Sequence, residues 1–359
     1  MSNIECRPGA LSRGTLAAVA ALSAALLIAS LLAASADATD PAARPGRDGV
    51  WRAIFARPKA AAAHSPALAA RIALGRDLFH DPRLSGSGKA SCATCHDPAR
   101  AFTDGRKTGH GPAGDILARN VPALYDLAWG KAYFWDGRAP TLEAQARVPI
   151  LATDEMAGDF AVITRILSAD EDFAARFSGA YPAAKSRGVT EDMVVGALAA
   201  YVRSLASPPS RFDAWVAGDD AVLDAEEQEG FRIFVGKGGC VSCHGGWRLT
   251  DDGFHDVGLP GSDKGRDGRP EFKTPSLREA ANTPPYMHDG SLATLADVVD
   301  HYADGVIRRP SLAPTLVQDL DLSAAEKSAL VAFLKTLSSE KAVRERVISD
   351  ETTRPMIEK

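Results

Sequence analysis

The pentapeptide C-x-x-C-H occurs twice in the chain, as CATCH at residues 92–96 and CVSCH at residues 240–244. Cysteines three apart lie on one side of a helical turn, where their thiols can form thioethers to two vinyl groups of one haem. The histidine that follows can bind the haem iron. A disulfide does not require this histidine, and a structural zinc site needs four ligands. The motifs predict two covalently attached c-type haems, held by Cys92, Cys95 and His96, and by Cys240, Cys243 and His244.

The N-terminus has the pattern of an export signal. Arg7 and Arg13 precede an apolar run over residues 16–34, and two Ala-x-Ala patterns follow within residues 34–38. This order is typical of a secretory signal with a cleavage site, although the run also approaches the length of a membrane anchor. We expect residues 1–38 to be cleaved, which leaves a periplasmic protein that is not bound to the membrane.

The charge of the chain bears on its partners. The formal net charge is −5, and basic residues do not form runs. This pattern is unlike that of nucleic-acid-binding proteins. We therefore expect no nucleic-acid partner.

The apolar pattern between the motifs predicts helices, and no stretch shows the sustained alternation of a strand. Capping boxes are predicted at Asp224 with Glu227 and at Ser323 with Glu326. The segments LGRDLF and EGFRIF precede the first and second motif and indicate an ancient duplication. We predict an all-α fold with two haem domains, residues 45–207 and 222–345.

Several phrases of the sequence occur together in bacterial di-haem cytochrome c peroxidases, a family that includes MauG. They are SCATCHDPARAFTDG, ARNVPAL, YFWDGRAPTLEAQA, PILATDEM, CVSCHGG, FKTPSLR and PPYMHDGSLATL. The chain resembles this family over roughly residues 70–340. The resemblance implies two cytochrome c-like domains. Peroxide would bind at the N-terminal haem, on His96, and the C-terminal haem, on His244, would store and relay electrons.

The resemblance also assigns roles to individual side chains. Trp135 would lie between the haems, Gln145 and Glu155 would form the polar distal side of the first haem, and Asn120 with the carbonyls of Thr283 and Pro285 would bind calcium. By itself, Glu155 is typical of a solvated acid at a helix start and Trp135 of a core residue. Peroxide cleavage needs a proton moved between its oxygens, and a carboxyl whose pKa is raised by burial suits that task.

The segment of residues 283–305 supplies candidates for the sixth ligand of the second haem. In the helix predicted there, Leu295, Val299 and Tyr302 share one apolar face. Tyr302 therefore points inward, and His301 is turned about 100° away, toward the polar side. In the loop before this helix, we expect Tyr286 to pack, and the resemblance implies that Met287 is not a ligand. The resemblance implies that His288 contacts haem propionates.

Position 302 separates two branches of the family. Ordinary di-haem peroxidases carry Met there as an axial ligand, whereas MauG carries Tyr, as this chain does. We expect Tyr302 to bind the iron, although a tyrosine with a satisfied hydroxyl in the core is the simpler interpretation of the sequence alone. Phenolate is hard and anionic, so it favours ferric iron and a lower potential than the soft thioether of Met.

Two further positions bear on the comparison with MauG. Gly238 stands where MauG has Trp on the route to its protein substrate, and in this respect the chain is like the ordinary peroxidases. His110 lies near the place of a movable distal histidine in peroxidases, but a solvated loop histidine fits the sequence equally well.

The sequence therefore favours an exported di-haem peroxidase with a His/Tyr-ligated second haem. It would reduce hydrogen peroxide and pass the oxidising equivalents to an external donor or to a protein substrate. One alternative is an ordinary peroxidase that uses a small cytochrome c or a cupredoxin as donor. The other is a non-catalytic electron carrier, against which Glu155 and Gln145 argue because a carrier does not need a polar open pocket.

Overall fold

The computed structural model describes residues 47–59, 65–112, 114–317 and 319–340. Contacts between Cα atoms divide the chain into two compact units, Met1–Asp48 and Gly49–Lys359, and almost all described residues belong to the second. The predicted signal peptide, residues 1–38, lies outside the described residues. None of the helices in the described part has the length and apolar composition that crossing a membrane requires.

The described chain is rich in helix, which confirms the all-α prediction. In the first half the α-helices are α1 (Arg47–Phe55), α2 (Pro66–Phe79), α3 (Cys92–Cys95), α4 (Leu142–Leu151), α5 (Phe160–Ala169), α6 (Glu171–Ala180), α7 (Ala184–Arg187) and α8 (Glu191–Ser204). In the second half they are α9 (Arg211–Val216), α10 (Ala225–Val235), α11 (Leu295–Asp300) and α12 (Ala324–Thr336). Two short strands, β1 (Phe254–His255) and β2 (Phe272–Lys273), pair antiparallel, with Phe254 opposite Lys273.

One helix crossing is built twice. In α2, Gly75 lies so close to α8 that a Cβ there would come 1.9 Å from the carbonyl oxygen of Ala197. In α10, Gly230 meets α12 in the same way, at 1.9 Å from the carbonyl oxygen of Ala329. Without a Cβ, glycine lets the two backbones approach this closely. The duplicated segments LGRDLF and EGFRIF therefore form equivalent crossings, and each leads into a haem motif.

Both predicted capping boxes are present in the second half. The backbone N–H of Glu227 donates to the Asp224 carboxylate at 2.9 Å, and the backbone N–H of Asp224 donates to Glu227 at 2.9 Å. The backbone N–H of Ser323 donates to Glu326 at 2.7 Å, and that of Glu326 donates to the Ser323 hydroxyl at 3.3 Å. These pairs start α10 and α12, the two helices of the second crossing.

Two hydrophobic clusters surround the crossings. The first is formed by residues between Leu74 and Leu205. The second is formed by residues between Phe212 and Leu337, with Phe55 of α1 added. Phe55 lies 5.4 Å from Phe212, ring centroid to ring centroid, so α1 packs with the second half although it precedes the first in sequence. The limits 45–207 and 222–345 stay predictions, and α1 departs from them.

Backbone hydrogen bonds join the two halves near the motifs. The N–H of Asn120 donates to the carbonyl of His288 at 2.8 Å, and the N–H of Lys273 donates to the carbonyl of Trp135 at 2.7 Å. Bonds between backbone atoms do not depend on side-chain rotamers. They therefore hold the loops of one half against those of the other.

Candidate haem sites

The first motif forms a single helical turn, α3, that fixes the imidazole. The backbone N–H of His96 donates to the carbonyl of Cys92 at 2.9 Å. The Nδ1 of His96 lies 2.9 Å from the carbonyl oxygen of Phe102, and because a carbonyl can only accept, Nδ1 carries the proton. Burial is the main cause that lowers the pKa of His96. The imidazole is therefore neutral and oriented, with Nε2 left as the ligand atom, as metal binding requires.

The second motif repeats this arrangement. The backbone N–H of His244 donates to the carbonyl of Cys240 at 2.9 Å, and its Nδ1 lies 2.8 Å from the carbonyl oxygen of Leu249. Burial again lowers the pKa of the histidine. The two accepting residues are both buried, and both have positive φ, 61° for Phe102 and 55° for Leu249. Two loops of different sequence therefore adopt the same turn to hold a ligand.

The donor set fits covalently attached haem. All four cysteines of the motifs are free and half-buried, so each is available for a thioether. Burial raises the pKa of Cys92 and of Cys240 to about 12. Two thiols on one turn, followed by a neutral imidazole whose Nδ1 is hydrogen-bonded, are the groups by which a chain holds a c-type haem.

Glu155 lies on the side of the first motif. It sits in the turn after α4, not at a helix start, and it is half-buried. Burial is the main cause that raises its pKa, and the charge of Asp154 adds to this effect. Its own charge raises the pKa of Cys92 and of Cys95. The carboxyl is therefore close to the first haem site and retains its proton to a higher pH than an exposed glutamate.

Tyr302 lies on the side of the second motif. It belongs to a π-helical turn, His301–Gly305, that continues α11, and π-turns are frequent at functional sites. Burial, and then the charges of Cys240 and Cys243, raise the pKa of its phenol. No hydrogen bond to its hydroxyl occurs within the described residues. The structure thus brings an unengaged phenol to the second pair of haem cysteines.

The prediction for His301 is wrong. It was expected on the polar side of the helix, but it is buried, 7% exposed, and its Nε2 lies 2.9 Å from the carbonyl oxygen of Val257. The 100° rotation per residue holds for an α-helix, and α11 ends at Asp300. The wider π-turn changes the direction of the side chains that follow, so that His301 and Tyr302 are both directed into the protein.

The loop before α11 packs as expected for Tyr286. Its hydroxyl donates to the carbonyl of Ala280 at 3.0 Å, and Met287 is half-buried with a φ of 73°. His288 is buried and stacks on Phe272, with ring centroids 3.5 Å apart. The expected contact of His288 with haem propionates stays a prediction.

The three residues assigned to calcium are placed as follows. The side-chain nitrogen of Asn120 donates to the carbonyls of Arg106 and Lys107, at 3.0 and 3.4 Å. This leaves its Oδ1 as an acceptor without a hydrogen bond in the described part of the chain. Thr283 and Pro285 lie in the loop that ends at His288, to which the backbone of Asn120 is bonded. The ligand set therefore stays a prediction.

Known proteins similar to this chain match it over both haem motifs. The family model of the di-haem cytochrome c peroxidases matches residues 69–221, and that of cytochrome c matches residues 227–338. The methylamine utilization protein MauG of Methylorubrum extorquens is 44% identical over 288 residues, which cover 77% of this chain and 81% of MauG. The chain belongs to the di-haem cytochrome c peroxidase family. It is therefore an oxidoreductase with two cytochrome c-like domains and two c-type haems.

Other members of the di-haem peroxidase family are similar along most of the chain. The cytochrome c551 peroxidase of Nitrosomonas europaea is 33% identical over 280 residues, 74% of this chain and 79% of that protein. Among solved structures, a MauG-like protein associated with microbial copper homeostasis has a TM-score of 0.70 and 33% identity, and covers 80% of this chain and 94% of that one.

Three further predicted residues are half-buried in the first half. The Nε1 of Trp135 donates to the carbonyl of Asn120 at 2.9 Å, which holds the indole where the halves of this di-haem peroxidase meet. Gln145 lies in α4, and its side-chain amide makes no hydrogen bond within the described residues. The imidazole of His110 accepts a hydrogen bond from Arg106 at 2.7 Å. The backbone carbonyl oxygen of His110 lies 3.8 Å from the Sγ of Cys95.

Charged groups that the sequence pattern did not predict lie beside both motifs. One carboxylate oxygen of Asp104 is buried and has no hydrogen-bond partner among the described residues, and the charge of Asp104 raises the pKa of Cys95. Asp251 and His255 form a 2.9 Å pair, and their ligand atoms lie within 4.8 Å of the Sγ of Cys243. The acid and the histidine four residues apart were the signal for the second group. No signal in the sequence indicated that a carboxylate oxygen of Asp104 would be buried.

Proposed function

We propose that this protein is a peroxidase of the MauG-like type. Hydrogen peroxide would be reduced at the haem of His96, and oxidising equivalents would be held at the haem of His244 and Tyr302. The position of Tyr302 carries this proposal. Its unengaged hydroxyl is close enough to Cys240 and Cys243 for their charges to raise its pKa, and it is the residue that replaces the Met of ordinary peroxidases.

At the first site, the bound haem would supply the iron that exchanges electrons with peroxide. Glu155 would take the proton from the inner oxygen of peroxide and return it to the outer oxygen, which leaves as water. Its raised pKa suits both directions of this transfer. The amide of Gln145 would orient peroxide for the transfer. Two electrons and two further protons complete the reduction of one peroxide to two water molecules.

At the second site, the buried environment of Tyr302 determines whether its phenol can lose the proton. In the chain alone, burial keeps the phenol protonated, because the charged form is poorly solvated. A phenolate at this position therefore needs a cation to stabilise it, as coordinated thiols do. Ferric iron is such a cation, and the anionic ligand would in turn favour the ferric state.

The absorption and electron paramagnetic resonance spectra of the all-ferric protein test the proposal. The wild type should show a low-spin haem with His/Tyr ligation and should react with one equivalent of peroxide without prior reduction. Tyr302→Phe should lose that low-spin haem, whereas Tyr286→Phe, which removes a hydroxyl bonded only to the chain, should keep it. A wild-type spectrum of His/Met ligation would point to Met287 and would refute the proposal.

One observation favours a second candidate, the ordinary cytochrome c peroxidase. A Cβ at Gly238 would lie 2.8 Å from the carbonyl oxygen of Ile233, so a tryptophan at this position would require the backbone to move. An ordinary peroxidase would accept electrons from a small cytochrome c or a cupredoxin and would need prior reduction. The reaction of the all-ferric protein distinguishes the two candidates.

The remaining assignments are also proposals. The N-terminal pattern supports export to the periplasm and cleavage of residues 1–38. The free Oδ1 of Asn120 and the carbonyls of Thr283 and Pro285 would bind calcium, which prefers such oxygen ligands. Trp135, at the junction of the halves, would carry electrons between the two haems.

A further inference from the structure

Trp129 and Trp247 form an aromatic pair between the two halves. Their ring centroids lie 4.8 Å apart, and the ring planes meet at 89°, an edge-to-face contact. Trp129 ends a short turn, Leu127–Trp129, and is 48% exposed. An indole that a partner in solution can reach is therefore in direct contact with an indole of the second half.

The second indole belongs to the loop that carries the axial histidine. Trp247 follows His244 by three residues, so their Cα atoms are at most roughly 11 Å apart. The carbonyl of Trp247 accepts two hydrogen bonds from Arg278, at 2.8 and 2.5 Å. Arg278 is 3% exposed and also donates to Asp213 at 2.6 Å. The backbone of Trp247 is therefore held in place by a buried network.

The chemistry of indole gives this contact a function. Indole and phenol are among the side chains that lose one electron readily, and electron transfer slows steeply as the distance between redox groups grows. We propose that Trp129 and Trp247 are the route by which electrons enter the second haem site from a reduced protein docked at Trp129. This inference rests on the proposed function, because hydrogen peroxide is the oxidant that draws the electrons.

The route works in single-electron steps. Trp129 passes one electron inward through Trp247 and receives one from the docked donor. Two such transfers, with two protons, reduce one peroxide to two waters. Without a donor, Trp129 loses two electrons and two protons and takes up one water, which gives a hydroxylated indole; the two electrons and two protons reduce the peroxide to two waters. The net change is one tryptophan and one peroxide converted to one hydroxytryptophan and one water.

Mass spectrometry after treatment with hydrogen peroxide alone tests the route. Trypsin releases residues 120–131, in which Trp129 is the sole tryptophan. In the wild type this peptide should gain one oxygen atom, and the gain should fall several-fold in Trp247→Phe. The buried Trp215, 5% exposed, serves as an internal reference and should remain unmodified in both proteins.

A second variant covers the case in which Trp247→Phe fails to fold. Trp129→Phe changes an exposed residue, should keep the haem spectra, and should slow oxidation of a reduced small cytochrome c. Equal oxidation of Trp129 in wild type and Trp247→Phe would overturn the route, because peroxide would then attack the exposed ring directly. Peroxide consumption is measured in the same samples. If the wild type consumes none, the proposed function fails; if it does and Trp129 stays unmodified, the route alone fails.

Discussion

His96 and His244 are held in the same way, whereas the residues proposed to face the two irons differ. Each histidine donates Nδ1–H to the carbonyl of a buried residue with positive φ, and each follows a helix whose glycine crosses a second helix. The first site then receives Glu155, a carboxyl with a raised pKa. The second receives Tyr302, a phenol on a π-turn. The duplicated frame thus fixes the proximal side, and separate loops decide the chemistry.

This difference shows where function is set in the molecule. Glu155 comes from the turn after α4, and Tyr302 from the turn after α11. Neither turn takes part in the glycine helix crossings, so either can change without altering those crossings. One duplicated unit therefore carries two sites with different surroundings.

The largest expected effect is loss of one haem when one motif is removed. The wild type should keep its haem colour after denaturation, and its intact mass should exceed that of the apoprotein by two haem masses. Replacing Cys92 and Cys95 by Ser should remove one haem, and so should replacing Cys240 and Cys243 by Ser, because each pair would form the thioethers of its own haem. The other haem should remain, because each motif is surrounded by its own cluster of core residues. A wild-type mass with a single haem would overturn the comparison.

Glu155→Gln should slow peroxide turnover by about 10²–10⁴, the usual contribution of a positioned acid/base. Both haems should remain, since Glu155 does not hold them. Steady-state turnover and haem content measure this. Asp154→Asn is the matched control, because the neighbouring carboxyl is exposed and its loss should leave turnover nearly unchanged. A loss of less than about threefold in Glu155→Gln would exclude it from the acid/base role.

Tyr302→Met should make the second site resemble that of an ordinary peroxidase. The thioether favours ferrous iron, so the potential of this haem should rise, and the variant should need prior reduction before it reacts with peroxide. Redox titration and mixing with peroxide measure the two effects. The first haem should keep its spectrum. An unchanged potential would show that position 302 does not bind the iron.

Asn120→Ala should weaken calcium binding and have a smaller effect on turnover. The backbone bonds from Asn120 to His288 and Trp135 do not involve its side chain, so the junction of the halves should persist. Metal analysis should find calcium in the wild type. Chelation of calcium should change the haem spectrum of the wild type and should cause no further change in Asn120→Ala. If calcium-free wild type keeps full activity, the calcium site has no role in turnover.

The smallest effect concerns pH and stability at Glu155. Its pKa is higher in the folded protein than its ordinary value, so the folded state binds more protons across that window. Wild-type stability should therefore fall as pH rises through the window, and Glu155→Gln should escape this loss. Thermal midpoints of wild type and Glu155→Gln should coincide at low pH and diverge toward neutral pH. A constant difference between wild type and Glu155→Gln would contradict the raised pKa.

Much of the fold could be predicted from local pattern. The capping boxes at Asp224 and Ser323 and the duplicated segments before the motifs were all correct, because each depends on residues close together in sequence. His301 could not be predicted correctly, since the change from α-helix to π-turn at Asp300 has no signature in its apolar pattern. The placement of Phe55 with the second half depended on contacts with Phe212, more than a hundred residues away.

The sequence by itself determined the chemistry of attachment. C-x-x-C-H specifies thioethers and an axial histidine through covalent spacing, which holds in any fold that keeps one helical turn. Tertiary structure alone decided which groups meet around each motif. The raised pKa of Glu155, the buried oxygen of Asp104 and the contact of Trp129 with Trp247 arise from desolvation and proximity between distant segments. These quantities depend on three-dimensional packing, for which the linear sequence carries no local signal.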